Sequence, residues 1–543
     1  MRKQRLVALL SSTALVIGII VSIPVAANAA PACDGKSPIQ SCVGLTSDGA
    51  PYSMMVPANF GGTVALYSHG YRYNIDIPVG IPLIGGYKVT NTPEPVPGGN
   101  AEVAQYLFSQ GVAVVGSGFA RQGWNADSAI KTNIELIGLF KAQFPKTTKV
   151  VAWGSSLGGF ITQALAEKYP NLISAAAPMC MAGNLDAELE MAGDFVWGLK
   201  TLFDPTIKGG NYSAGAVGNG EAVTDIVKIF TVMGKLQASL ATNAWPDTSS
   251  ATGKALAAGG VPPRSALLLL GLMSGVPTQS AHFDSIRGPA GALYLTFPLA
   301  LSPALAVLEN GTNAAILAVL ATQDVELQAG GPIFDNTKTN YASRIENERI
   351  IFNAALSGNA VIDALLGALS AANPGAPRAV GNAAAMAKLQ TLQSNSGKIN
   401  VPTILMTGVA DPITPAGASQ RVVDAYAEQI AAEKLAAFAA YKSTKSYVAP
   451  VNKLLMLWNT TPSKGYTTFD AAGSPIASTP AATGTNHCNF TSAQLVLVAK
   501  SLLSSGLTGK LPSGGAIVSA GRKAGNLVID PLFRAPLFKY YNQ

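Results

Sequence analysis

The chain has 543 residues, of which 12% are charged and 48% hydrophobic, with a formal net charge of +7. That length exceeds what one compact core usually holds, and the apolar, poorly charged composition excludes a largely disordered chain. Three of the basic residues, Arg2, Lys3 and Arg5, stand at the extreme N-terminus and the rest form no clustered patch, so nucleic acid is not expected as a partner.

The first elements in chain order concern export. Met1 to Arg5 is basic, Leu6 to Val25 is apolar or small, and Ala27-Asn28-Ala29 supplies an A-x-A cleavage site. Residues 1–29 therefore read as a signal peptide, and the mature chain is expected to be secreted. Pro24 argues against an uncleaved membrane anchor. The best later candidate for a span, Leu293 to Leu308, is interrupted by Pro298 and Pro303 and falls short of the roughly 20 residues required. In an oxidising compartment the four cysteines are expected to pair. Cys33 and Cys42 share one short loop and are expected to bond each other. Cys180 and Cys488 remain, and sequence alone does not prove connectivity. With only three histidines and no C-x-x-C, no metal site and no cofactor are expected.

Residues up to about 62 read as an irregular lead-in with short strands. Thr63 to Ser68 is a buried strand followed by the turn His69-Gly70-Tyr71. Ala101 to Gln110 is helical, Gly111 to Gly116 a strand, and Asp127 to Phe144 a helix with Asp127 as N-cap. Lys149 to Trp153 is a strand, Gly158 to Tyr169 a helix, and Leu172 to Ala177 a strand. Strands alternating with helices imply parallel β-α-β units, hence an α/β class with a mostly parallel sheet flanked by helices. The alternation then stops. Residues 184–396 are rich in Ala, Leu and Gly and read as mostly helical, as in Asp225 to Ala241, Arg264 to Met273, Ala304 to Leu320 and Val361 to Ala371. Strands resume at Val401 to Thr407 and Lys453 to Trp458, and Thr491 to Ser504 reads as the last strong helix. The expected organisation is a core in two parts, 30–183 and 397–543, interrupted by a helical lid or cap at 184–396. The tail from about Thr508 reads as irregular or strand-forming.

Gly154-Ser155-Ser156-Leu157-Gly158 is a G-x-S-x-G pentapeptide lying between an apolar strand and a helix. That context suits a nucleophile elbow, in which the serine occupies a strained turn and the glycines allow close backbone approach. The register makes Ser156 the nucleophile. A serine needs a general base. Of the three histidines, His69 precedes Ser156 and His282 lies in the helical region, whereas His487 follows the resumed sheet. The acid belongs on a loop after a strand: Asp411, in Thr407-Gly408-Val409-Ala410-Asp411-Pro412, fits, with Asp424 and Asp470 as alternatives and an Asx turn or helix N-cap as its plain structural role. The N–H groups of Leu157 and Tyr71 are the expected oxyanion donors, with His69 fixing the Tyr71 loop.

Taken together these elements resemble the α/β-hydrolase superfamily over about residues 60–183 and 396–507. The resemblance implies a Ser156–His487–Asp411 triad with Tyr71 and Leu157 as oxyanion donors. The Gly-x-x-Asp-Pro-Ile-Thr-Pro stretch around Asp411 is similar to secreted hydrolases related to tripeptidyl aminopeptidases. His487-Cys488 is similar to tannase- and feruloyl-esterase-like enzymes, in which a cysteine beside the nucleophile bonds the one after the histidine. Here Ser155 holds that position. Cys180, just after a strand expected to end on the catalytic side, offers a substitute partner for Cys488. A helical insertion following Cys180 would cover Ser156, and apolar runs such as Leu267 to Leu270 and Leu293 to Val307 would line an acyl pocket or form the insertion's own core. The expected activity is hydrolysis of a small-molecule or polymeric carboxylic ester. A peptidase or amidase using the same triad is the alternative, and a binding protein on a degenerate scaffold the third. Oligomeric state is not legible.

Overall fold

A computed structural model describes residues 31–35, 38–288, 301–393, 396–470, 473–476 and 480–535. The expected signal peptide, residues 1–29, and the 293–300 part of the apolar run lie outside the described residues. The centre is a ten-stranded sheet. Its strands are β1 (Ala32–Cys33), β2 (Ile39–Leu45), β3 (Pro51–Pro57), β4 (Thr63–Ser68), β5 (Val112–Ser117), β6 (Lys149–Ser155), β7 (Ala175–Met179), β8 (Thr403–Gly408) and β9 (Leu454–Asn459), with β12 (Leu527–Val528) at the far edge. A separate ribbon pairs β10 (Thr468–Phe469) with β11 (Pro475–Ile476).

The spatial order is β1-β2-β3-β5-β4-β6-β7-β8-β9-β12. From β5 to β9 every neighbouring pair is parallel, while β3 runs antiparallel to both β2 and β5. Strands β4, β5 and β7 are buried along their whole length, as expected for a sheet covered on both faces. The flanking helices of the sheet's first half are α1 (Ala101–Ser109), α2 (Ala126–Gln143) and α3 (Leu157–Lys168). This is the α/β-hydrolase arrangement.

Between β7 and β8 the chain is helical: α4 (Leu185–Leu202), α5 (Gly215–Thr242), α6 (Ala251–Ala258), α7 (Pro263–Ser274), α8 (Ser302–Ala329), α9 (Tyr341–Arg344), α10 (Glu346–Ile351), α11 (Asn359–Ala368) and α12 (Ala383–Leu392). These helices enclose a core of their own. Leu267, Leu268, Leu269 and Leu270 of α7 are all fully buried in it, each contributing roughly 1.5–3 kcal/mol. The four leucines thus hold the insertion together. Helix α8 is long and apolar enough to cross a membrane by length and composition, yet 61% of its most apolar window is buried inside the protein.

Four local expectations are corrected. The seventh strand is Ala175–Met179, displaced toward Cys180, because Leu172 and Ile173 close a turn back onto Tyr169. Helix α2 begins at Ala126 after Asn125, so Asp127 sits in its first turn, where its charge favours the helix dipole, and is not the N-cap. The lead-in holds two seven-residue strands, β2 and β3. The tail forms a helix, α15 (Gly514–Gly525), before β12; the remaining core helices are α13 (Ala416–Thr444) and α14 (Ser492–Thr508).

Disulfides join Cys33 to Cys42 across β1 and β2, and Cys180 to Cys488, 308 residues apart in sequence. The second bond closes a long loop, worth about 5 kcal/mol in the chain-entropy description. Replacing Cys180 and Cys488 together by alanine is expected to lower the urea midpoint substantially under non-reducing conditions. An unchanged midpoint would show that the bond does not constrain the unfolded chain.

Candidate functional site

The site begins with the tight turn between β6 and α3. Ser156 adopts φ 59° and ψ −126°, a conformation that L-residues rarely take. The turn closes only because its neighbours lack side chains. A Cβ on Gly158 would sit 1.9 Å from the Ser68 carbonyl oxygen, and one on Gly154 would sit 2.3 Å from the Gly158 carbonyl oxygen. The Ser156 N–H donates to Met179 O at 3.0 Å, tying the turn to β7.

Asp411 follows β8 and is fully buried. Its Oδ1 accepts from the Ile413 and Thr414 N–H groups at 2.9 and 3.0 Å, and its Oδ2 accepts from the Thr414 hydroxyl and the Cys488 N–H at 3.1 Å each. The Asx turn therefore exists beside the contact to His487, while helix α13 starts later and is capped by Pro415. His487 lies on a loop pinned at both ends. Ala410 N–H donates to Gly484 O at 2.8 Å, and the Cys180–Cys488 bond anchors the next residue. Asn486 and Cys488 on either side take left-handed φ values of 61° and 51°, turning the imidazole toward Ser156.

The result is a continuous chain of hydrogen bonds. His487 Nδ1 lies 3.0 Å from both Asp411 oxygens, and His487 Nε2 lies 2.9 Å from Ser156 Oγ. Because the ionised carboxylate only accepts, Nδ1 carries the proton and Nε2 presents its lone pair to the serine hydroxyl. Asp424 instead accepts from Gln420 at 2.9 Å along α13, and Asp470 from the Ser474 N–H at 2.8 Å in a turn. His282 pairs with Glu309 at 2.8 Å within the insertion. Among the described residues, Asp411, His487 and Cys488 form the one cluster close enough to be weighed as a metal site. Cys488 Sγ is spent in its disulfide and has no thiolate to offer, so that cluster is poorly suited to an ion.

Tyr71, Ser156 and Leu157 line one cavity. Leu157 opens α3, where a helix leaves its first N–H groups without intrahelical acceptors. A Cβ on Gly70 would lie 3.2 Å from Ser156 Cβ, which places the Gly70–Tyr71 peptide beside the serine. His69 Nδ1 donates to Gly70 O at 2.7 Å and so fixes the plane of the peptide that carries the Tyr71 N–H.

Sequence reasoning missed three features. The Tyr71 hydroxyl donates to Asp324 Oδ2 at 3.3 Å, and the same carboxylate accepts from Trp124 N–H at 2.6 Å and Asn74 Nδ2 at 2.9 Å, joining the Tyr71 loop to α8. The cavity is a narrow slot between two helices. Leu185, Leu189, Ala192, Phe195 and Val196 of α4 face Gly311, Ala314, Ala315, Ala318 and Ala321 of α8. Apart from Leu317, the α8 positions that line it recur at helical spacing as Gly or Ala, a signal visible in the sequence but indistinguishable there from a stripe for helix packing. Finally, Glu188 stands on the slot wall.

The sequence matches no family model, and no curated protein matches it. Among solved structures the chain is similar to feruloyl esterase B from Aspergillus oryzae, at 13% identity over 87% of this chain and 82% of that one, with a TM-score of 0.32. It is also similar to the rice cell wall degrading esterase LipA from Xanthomonas oryzae, at 12% identity over 79% and 85% of the two chains and a TM-score of 0.30. A match to a Pyrococcus furiosus esterase, at 13% identity and a TM-score of 0.22, covers 29% of this chain and spans 58% of that enzyme's length.

His69 is 2% exposed, and burial, aided by the nearby Arg72 charge, pushes its imidazole down to about 4. In the unfolded chain it titrates near 6.5. The folded state thus binds the proton less well, so this stability contribution is complete above pH 6.5 and drains away as pH falls toward 4, by about 3 kcal/mol. His69→Gln is expected to flatten that part of the pH–stability curve, read by urea unfolding between pH 4 and 7. Parallel losses in both proteins would assign the acid sensitivity elsewhere.

Proposed function

We propose that the protein is an exported serine hydrolase that cleaves carboxylic esters of medium-length acyl chains through an acyl-enzyme intermediate. The carrying observation is the Ser156–His487–Asp411 hydrogen-bond chain opening directly into the apolar slot. In this reading His487 Nε2 takes the Ser156 proton as Oγ attacks the ester carbonyl. Asp411 holds the tautomer and stabilises the imidazolium, and the Leu157 and Tyr71 N–H groups receive the oxyanion. His487 then protonates the departing alcohol, and water releases the acid. Each oxyanion donor is worth roughly 3 kcal/mol in the transition state.

The slot supports the acyl preference. Lining residues run from Leu185 to Val196 on α4, roughly 15 Å along a helix axis. The slot holds about 840 Å³ of empty space including its mouth. Such a long, thin, apolar space fits an extended alkyl chain of about ten carbons better than a folded peptide. The helices between β7 and β8 then act as a lid whose inner surface binds the acyl group. The two disulfides, together with the basic, apolar and A-x-A pattern at the N-terminus, support export to an oxidising compartment.

p-Nitrophenyl esters from acetyl to dodecanoyl test this reading, alongside aminoacyl p-nitroanilides. Turnover is expected to peak at medium chain length and to fall at least about a thousandfold in Ser156→Ala. Ala318→Leu, which fills the slot midway along α8, is expected to move the optimum to shorter chains. Activity surviving in Ser156→Ala would remove the nucleophile assignment, and faster cleavage of the anilides would replace the esterase by an amidase.

A further inference from the structure

Glu188 is out of place in the slot. The wall around it is otherwise aliphatic or aromatic, apart from a few polar groups that are already engaged. Ser156 faces His487, the Tyr71 hydroxyl is given to Asp324, and the Thr414 hydroxyl to Asp411. Glu188 accepts from two backbone N–H groups at the start of its own helix, Asn184 at a long 3.4 Å and Gly183. No side chain among the described residues hydrogen-bonds it. Its side chain is nevertheless partly accessible, because it faces the cavity.

The electrostatic surroundings set the state of this carboxyl. Burial raises its pKa well above the usual carboxylate range, outweighing the lowering effect of the Asn184 and Gly183 N–H groups, and the nearby Asp411 and Asp186 charges push upward as well. Among the described residues no Lys, Arg or His lines the slot to oppose them. A neutral carboxylic acid offers one O–H donor and one carbonyl acceptor. Among the described residues the Asn184 and Gly183 N–H groups use only its acceptor oxygens, so no side chain accepts from its O–H, which costs free energy in an apolar site.

We propose that Glu188 makes the slot selective for acyl chains bearing an aliphatic hydroxyl group, which the carboxyl engages as both donor and acceptor. This rests on the esterase reading above and names its substrate class. A hydroxyl complements a neutral carboxyl in both directions without introducing charge. A carboxylate on the acyl chain would meet Asp411 repulsion, and an ammonium would require an ion pair to be desolvated in a dry slot, where attraction often fails to repay the cost. Position along the chain follows from the helix. The Ala182 N–H donates to Ser156 O at 3.2 Å, so the chain enters α4 from beside the serine. Glu188 lies about one turn, roughly 5 Å, beyond Leu185, on the serine-proximal part of the slot. The hydroxyl therefore belongs within the first several carbons from the carbonyl.

The test compares p-nitrophenyl decanoate with its 3-hydroxy and 5-hydroxy analogues in wild type, Glu188→Leu and Glu188→Gln. At least one hydroxy ester is expected to exceed decanoate about tenfold in kcat/KM, as one or two buried hydrogen bonds would give. The ratio should collapse to about one in Glu188→Leu and be partly retained in Glu188→Gln, whose amide still donates and accepts. A wild-type ratio of one or less for both hydroxy esters, or a ratio that survives Glu188→Leu, overturns the proposal. Binding separates this from failure of the esterase reading. Methyl 3-hydroxydecanoate and methyl 5-hydroxydecanoate, each against methyl decanoate, are titrated calorimetrically into Ser156→Ala with and without Glu188→Leu. Tighter binding of a hydroxy ester that depends on Glu188 supports the subsite even if no ester is turned over, and equal or weaker binding of both hydroxy esters overturns it.

Discussion

The turn at Ser156 is the constraint on which the rest of the structure hangs. A left-handed serine between β6 and α3 is tolerated only because Gly154 and Gly158 remove the atoms that would collide with Ser68 and with each other's backbone. Strand β4 must then lie close enough for Ser68 to meet Gly158, which sets the β4–β6 pairing and delivers the following His69-Gly70-Tyr71 segment to the serine. One strained residue thereby positions both the serine hydroxyl and the loop beside it. Strain of this kind persists only where the surroundings over-determine it. Here the buried parallel strands on either side supply that determination.

The remaining side chains of the site arrive from far along the chain and are held by polar contacts rather than by the sheet alone. Asp411 is fixed by donors from Ile413, Thr414 and Cys488, so its carboxylate is pre-oriented before any substrate binds. The His487 loop has little regular structure, and its placement depends on the Gly484 contact and the bond to Cys180. Such a loop would otherwise lose much of the precision that hydrogen-bond geometry demands. The bond that stabilises the chain is therefore also the one that aims the imidazole.

The helices between β7 and β8 are self-supporting and yet coupled to the site. Their core includes the buried leucines of α7 and a charged network in which Arg344 meets Asp194 and Glu190. Removing one partner there would leave a buried charge uncompensated. Coupling to the sheet runs through Asp324, which joins α8 to Tyr71, Asn74 and Trp124. The small residues on the slot side of α8 let it pass near α4 while leaving a channel. Outside the slot, Val307 of α8 packs over Gly271 of α7.

The sequence by itself determined the sheet and the order of the candidate site residues. Apolar runs such as Thr63–Ser68 and Lys149–Trp153 have few alternatives to buried strands, and a Gly-x-Ser-x-Gly between strand and helix carries its steric logic locally. The burst of Ala- and Leu-rich helix after Cys180 was equally legible. Boundaries governed by long-range contacts were not: the β7 register, the helix in the tail and the length of α8 follow from packing against elements distant in sequence. Tertiary structure alone decided that Leu267 to Leu270 belong to the insertion's core while Gly311, Leu317 and four alanines of α8 line the slot. It also decided that Tyr71 is tied to Asp324 and that Glu188 lines the same cavity as Ser156. Periodicity identifies a helix face, but which partner that face meets depends on the three-dimensional path of the whole chain.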